Sequence, residues 1–233
     1  MKTRNVAGTL LLFGASGAIG SEIISFFQNE GWRVVKVTRH NRAHGFLAWD
    51  PLDSADAGDE ILREGPFDAV CWAQGENAND TISSFDAGVH ESMYRANVVF
   101  ILQSLHRLLG SLAKGARLCV VSSIWQESAR QNKLSYCVTK SALQGLVLSL
   151  ANDLGRDGYL INGILPGVID TPMTRKNLTE IQINTVIHGT QFERLVTLSD
   201  VAAAVYSVCS FFNTGVTGQF IKVDLGYTHV RII

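Results

Sequence analysis

Thr9-Leu10-Leu11-Leu12-Phe13-Gly14-Ala15-Ser16-Gly17-Ala18-Ile19-Gly20 is the stretch whose reading decides the fold. Its first five residues carry no charge and have the length of a strand buried on both faces. The glycines then permit a tight turn, and Ile23, Ile24 and Phe27 recur at helical spacing until Gly31. A strand, a glycine turn and a helix in that order aim unpaired N–H groups of the helix N-terminus at the turn. Gly14, Ser16, Gly17, Ile19 and Gly20 are therefore candidate contacts for a dinucleotide pyrophosphate, at a G-x-x-G-x-x-G spacing.

The same alternation continues outward. Strand-like runs recur at Arg33–Thr38, Phe46–Trp49, Phe67–Ala73, Ala116–Val121, Tyr159–Leu165 and Gly218–Asp224. Helical patterns lie between them, which predicts an α/β fold with a doubly wound, seven-stranded parallel sheet between two helix layers. Such a sheet takes its ligand at the carboxyl ends of the strands. At 233 residues the chain suits one catalytic domain over 1–233, with 173–195 as a polar, weakly periodic lid and Gly189 as its hinge.

Composition narrows the functional classes. A formal net charge of −1 gives no electrostatic case for nucleic acid or an anionic membrane. Cys71, Cys119, Cys137 and Cys209 are widely spaced and read as hydrophobic thiols of a reducing compartment, so the expected location is cytoplasmic. The histidines show no ligand spacing, and no metal is expected. The apolar run near the N-terminus is too short for a signal or a spanning helix.

The strand ends supply the candidate site. After the second strand stand Arg39, His40 and Arg42 where an acid would select NAD; a cation there pairs with the extra phosphate of NADP. Arg39 is the favoured contact. Asp50 is placed either to accept from an adenine amino group or to cap the next helix. Ala73, Gln74 and Gly75 close the fourth strand, Ala73 and Gly75 being small where a ribose meets backbone. A long helical pattern from Asp86 to Leu112 carries Asn97, locally unfavourable in mid-helix, which either bends the helix and holds a water or sits on an ordinary polar face. Ser122-Ser123 ends the fifth strand. Pro166, Gly167, Ile169 and Thr171 follow the sixth, where a carboxamide meets free backbone and a hydroxyl reaches a phosphate. A further helix starts at Ser199 as N-cap and runs through Cys209. The apolar, basic tail Val230–Ile233 suits a subunit contact.

One helical pattern, Leu134 through Leu154, carries Tyr136 and Lys140 four residues apart, one turn away on the same face. Bringing a tyrosine from pKa ~10 to neutrality needs ~4 kcal/mol. An ammonium ~4 Å away at an effective dielectric of ~20 supplies about that much. The pair is thus competent, on magnitude, to make a phenol a proton donor.

These pieces, in this order, resemble the short-chain dehydrogenase/reductase family over nearly the whole chain: Gly14 to Gly20, Asp50, Ala73 and Gly75, Asn97, Ser123, Tyr136 with Lys140, and Pro166-Gly167 with Thr171. The resemblance implies a three-layer Rossmann fold and a catalytic set of Ser123, Tyr136 and Lys140, with Asn97 anchoring a proton-relay water. It implies Arg39 as the NADP-selecting cation, a small carbonyl or alcohol substrate, and a homodimer or homotetramer. On it rests the expected activity: NADP(H)-preferring interconversion of a carbonyl and a secondary alcohol, Tyr136 protonating the oxygen.

The sequence also departs from the family pattern. Phe13 replaces the usual Thr, Gly17 falls one residue early, and Trp72-Ala73-Gln74-Gly75 stands for Asn-Asn-Ala-Gly. Trp125 replaces a glycine frequent after the serine and is either a wall of the substrate mouth or a packed aromatic. Two rival readings are a non-catalytic NADPH sensor or scaffold, and a nucleotide-sugar epimerase or dehydratase.

Overall fold

A computed structural model describes residues 7–40 and 45–230. One seven-stranded sheet has the order β3-β2-β1-β4-β5-β6-β7, parallel throughout. Its strands are β1 (Thr9–Phe13), β2 (Arg33–Thr38), β3 (Leu47–Ala48), β4 (Phe67–Trp72), β5 (Leu112–Val121), β6 (Leu160–Pro166) and β7 (Phe220–Val223). The helices are α1 (Ala18–Asn29), α2 (Asp59–Leu62), α3 (Ala87–Tyr94), α4 (Phe100–Leu108), α5 (Leu134–Leu154), α6 (Pro172–Asn177), α7 (Glu180–Ile187) and α8 (Leu198–Cys209).

Alternation along β1 divides the protein into layers. Leu11 and Phe13 enter a core with α4 and α5; Leu10 and Leu12 enter a second core with α1 and α8. All three leucines are fully buried, each stabilising the fold by about 2 kcal/mol. The sheet reverses direction of growth between β1 and β4, and the crevice at their carboxyl ends receives the site.

Several expected boundaries move. The helix expected from Asp86 to Leu112 is α3, a π-turn at Arg95–Val99 and α4, closed by a 3-10 turn at Leu109–Ser111. Leu112 already belongs to β5, which starts four residues before the expected Ala116. Gly115 at φ +71° takes up the register shift there, and Lys114 and Arg117 hide the strand pattern. The α8 N-cap is Thr197, not Ser199: its hydroxyl accepts from Asp200 N, and the Asp200 carboxylate accepts from Thr197 N at 2.9 Å. β3 is shorter than expected because Trp49 turns into the core. Within 173–195, Gly189 packs against a ring: an added Cβ would lie 2.8 Å from Tyr227. Arg42 and the tail residues 231–233 lie outside the described residues.

Cys71 of β4 and Cys119 of β5 are register partners, and the Cys119 thiol also meets Cys209 of α8. All three are fully buried, while Cys137 on α5 is half-buried. Among the described residues no helix is long and apolar enough to cross a membrane.

Candidate active site

The carboxyl ends of β1, β4, β5 and β6 open on a cavity of ≈ 700 Å³. Its floor is the glycine turn, and here the backbone leaves no room for side chains. A Cβ on Gly14, at φ +72°, would lie 2.5 Å from Gln74 N, and one on Gly20 would lie 2.2 Å from Gly14 O. Gly17 caps α1 without a side-chain hydrogen bond, so the first-turn N–H groups lack a side-chain acceptor. Ser16, Gly17, Ala18, Ile19 and Gly20 all line the cavity there. Above the turn, both amide atoms of Gln74 and the hydroxyl of Ser122 are buried without a partner. Such groups cost about 1–3 kcal/mol each when left unpaired. A glycine cradle, open helix N–H groups and orphaned polar atoms on one wall fit a dinucleotide.

At the adenosine end Thr38 and Arg39 line the cavity. Arg39 is held by two carboxylates: Nε lies 3.3 Å from Asp50 Oδ2 and Nη1 3.2 Å from Glu76 Oε1. Asp50 stands outside the lining and accepts from Leu52 N at 3.0 Å, so here it is a turn cap and the partner of Arg39. His40 is exposed and also outside the lining. Ala73 and Gly75 line the middle; Pro166, Gly167, Ile169 and Thr171 line the far wall. Thr171 Oγ1 accepts from Thr174 N at 3.2 Å, capping α6.

The catalytic candidates converge from three elements. β5 delivers Ser123, whose hydroxyl acts to lower the pKa of the neighbouring Tyr136 phenol, and whose Oγ accepts from Trp125 N at 3.3 Å. Tyr136 and Lys140 come from the first two turns of α5. Lys140 Nζ lies 5.7 Å from the Tyr136 ring centroid and donates to Val121 O at 3.3 Å. Burial dominates both groups: it pushes the phenol up to about 12, partly offset by the Ser123 hydroxyl, and the ammonium down to about 8. The expected depression of the phenol by the lysine charge is therefore outweighed here by desolvation.

Asn97 sits in the π-turn, 1 % exposed. Its Oδ1 accepts from Glu76 N at 2.8 Å; its Nδ2 donates to Glu76 O at 3.0 Å and to Thr139 Oγ1 at 3.2 Å. Both amide hydrogens are thus committed, and one lone pair on Oδ1 is left. Gly75 admits this packing, since a Cβ there would meet Asn97 Oδ1 at 3.1 Å and Lys140 Nζ at 3.5 Å.

The substrate side of the cavity is bounded by Asn77, Trp125, Arg130, Lys133, Thr174 and Leu178. Trp125 is therefore a wall of the mouth. Arg130, Lys133 and Thr139 escaped sequence reasoning. Lys133 had a legible signal, one helical turn before Tyr136; Arg130, in a loop, had none.

With this geometry in place, comparison with known proteins is informative. A family model described as Enoyl-(Acyl carrier protein) reductase matches residues 67–228. The uncharacterized oxidoreductase YmfI of Bacillus subtilis is 24% identical, over 94% of this chain and 98% of its own length. An acetoacetyl-CoA reductase of Allochromatium vinosum is 22% identical, over 95% and 98%. The crystal structure of a short chain dehydrogenase family protein from Francisella tularensis superposes with a TM-score of 0.86 at 21% identity, covering 97% of this chain and all of that one. Matched along nearly its whole length, the chain belongs to the short-chain dehydrogenase/reductase family of NAD(P)-dependent oxidoreductases.

Proposed function

We propose that this protein interconverts a carbonyl and a secondary alcohol with NADP(H), Tyr136 exchanging the proton with the substrate oxygen. The observation that carries the reading is that Ser123, Tyr136 and Lys140 line the same cavity as the glycine cradle, with the Lys140 ammonium 5.7 Å from the Tyr136 ring centroid. The bound nicotinamide supplies or accepts the hydride. A phenol held at about 12 is fully protonated at neutral pH, the state in which Tyr136 donates to a carbonyl oxygen. Ser123 orients that oxygen and shares its developing charge. Lys140, one turn away, holds the ribose hydroxyls and places a positive charge near the phenol. Asn97 offers its remaining Oδ1 lone pair to a relay water, while its other bonds fix the Glu76 backbone.

Gly14, Ser16, Gly17, Ile19 and Gly20 hold the pyrophosphate; Ala73, Gln74 and Gly75 hold the adenosine side of the ribose wall; Pro166, Gly167, Ile169 and Thr171 hold the carboxamide end. Arg39 supports NADP over NAD, its guanidinium leaving Glu76 for the extra phosphate. α6 and α7 act as the lid over the substrate. The acetoacetyl-CoA reductase among the relatives supports a reductive direction on a small carbonyl. Exposed Leu102, Leu109, Val138 and Leu148 on α4, α5 and the turn after α4 support a homodimer or homotetramer through these helices. Four free thiols suit the cytoplasm.

A carbonyl panel run with NADPH and with NADH tests the activity and the preference together. Tyr136→Phe should lower turnover by about 10²–10⁴-fold while NADPH affinity, read by calorimetry, stays within about threefold. Tight NADPH binding with no oxidation by any carbonyl would instead favour the sensor reading.

A further inference from the structure

The substrate end of the cavity carries charge that the proposed chemistry does not use. Lys133 precedes α5 and is 4 % exposed. Its Nζ lies 5.7 Å from the Tyr136 ring centroid, the same distance as Lys140, so two ammonium groups flank one phenol. Nζ donates to Asn77 Oδ1 at 2.6 Å and to Ala78 O at 3.2 Å. Both acceptors are neutral, and the ammonium has a third hydrogen. The nearby Asp80 carboxylate is turned to Ser135, accepting from its N–H at 3.0 Å and from its hydroxyl. Arg130 lines the same wall, and among the described residues it has no carboxylate partner. Burial most, and the Arg130 charge next, push the Lys133 ammonium down, partly offset by the Asp80 carboxylate.

Two like charges thus sit together in a cleft, one of them almost wholly withdrawn from water. Glu76 is the only carboxylate lining the cavity among the described residues, and it faces Arg39 at the opposite end. The one carboxylate acting on Lys133, Asp80, is committed to Ser135; a buried cation so incompletely compensated is costly, and an incoming anion removes that cost. The groups that would hold the pyrophosphate and the adenosine phosphate, the glycine turn and Arg39, line other parts of the cavity, so the dinucleotide would not supply the anion.

We propose that Arg130 and Lys133 form an anion subsite, so that the carbonyl substrate carries a carboxylate or phosphate a few bonds from the carbon that is reduced. The inference rests on the reading of Tyr136 as the proton donor, because that places the reacting carbonyl beside the Lys133 ammonium. Trp125 and Leu178 on the same wall pack the short carbon chain between the two groups.

The test pairs carbonyls that share a reacting ketone and differ in whether an anionic group is present: acetoacetate with methyl acetoacetate, and hydroxyacetone phosphate with hydroxyacetone, each with saturating NADPH. The native protein should favour the anion of at least one pair, and which pair responds separates a carboxylate from a phosphate. Arg130→Gln and Lys133→Gln should each reduce the anion-to-neutral ratio of kcat/KM by about ten- to a hundredfold, as expected for loss of a charge-assisted hydrogen bond. Lys133→Arg should restore most of it. If Lys133 serves only to pin Asn77 and Ala78, its substitution lowers both members of a pair alike and the ratio stays put, which overturns the subsite. Calorimetric titration of acetoacetate and of hydroxyacetone phosphate into the NADP+ complex, which has no hydride to give them, gives a second reading that needs no turnover. If no carbonyl is reduced but Arg130→Gln weakens anion binding, the oxidoreductase reading falls and the subsite stands. Equal binding of both anions to the native protein and the Arg130→Gln protein removes the subsite.

Discussion

Lys140 is the residue whose environment departs furthest from what its neighbours in sequence imply. The spacing from Tyr136 is legible, since four residues on a helix define a face, but the desolvation of both groups is a property of the assembled cavity. The amine is depressed from its usual 10.5 to about 8 by burial, which corresponds to about 3 kcal/mol. The sign follows from proton counts. Between about pH 8 and 10.5 the unfolded chain keeps this proton and the native state has lost it, so stability gains with rising pH across that window. Below it the native state carries the full desolvation cost. Lys140→Met, in the absence of dinucleotide, should therefore be more stable than the native protein at pH 7, by about 1–3 kcal/mol. The gap should shrink towards zero near pH 10, as read by urea unfolding at both pH values. A constant gap, or a less stable variant at pH 7, would show that the ammonium is not paying a burial cost. Arg39 illustrates a different limit. Its position at the end of β2 is visible in the sequence, but its two carboxylate partners come from residues 50 and 76 and are brought to it only by folding.

At the scale of elements, the glycine turn was legible because a single backbone constraint governs it. Gly20→Ala puts a methyl 2.2 Å from Gly14 O, a backbone atom that cannot rotate aside. This substitution should destabilise the protein by about 1–3 kcal/mol and weaken dinucleotide binding at least tenfold, measured by thermal unfolding and NADPH titration. Normal NADPH affinity in a stable Gly20→Ala protein would remove the turn from the binding site. α5 was read from Leu134 to Leu154 and is found there, although its buried face begins with the polar Ser135, Thr139 and Lys140 and turns apolar only from Leu143 through Leu146, Val147 and Leu154. The helix around Asn97 was read as one pattern in which Asn97, unfavourable in mid-helix, either bends the helix or sits on an ordinary polar face. Its π-turn arises from the three hydrogen bonds that draw Asn97 towards Glu76 and Thr139, partners 21 and 42 residues away. The α8 cap shows the converse: Thr197-x-x-Asp200 was present as a capping signature, and Ser199 placed the cap two residues too late.

For the molecule as a whole, two departures from the family pattern prove to be one. Phe13 and Trp72 end neighbouring strands and stack, with centroids 6.1 Å apart and planes 6° from parallel. Phe100 meets Phe13 edge-on at 5.4 Å, Trp49 leans on it at 5.6 Å, and Trp72 Nε1 donates to Ser104 Oγ at 2.9 Å. Each substitution was visible in the sequence as an isolated oddity; only the β1–β4 register makes them partners. The layer on the other side of the sheet has its own distinctive row, the thiols of Cys71, Cys119 and Cys209. Reaction with a thiol reagent should accordingly be biphasic: Cys137 at a moderate rate, and the other three together only as the sheet opens. Two or more groups modified before any loss of far-ultraviolet ellipticity would contradict that packing. Because these sulfurs span the middle of the sheet and a helix laid across it, the slow phase measures how often β4, β5 and α8 part company. The protein thus carries a built-in chemical timer for its own global opening, one that needs neither an added label nor an engineered residue.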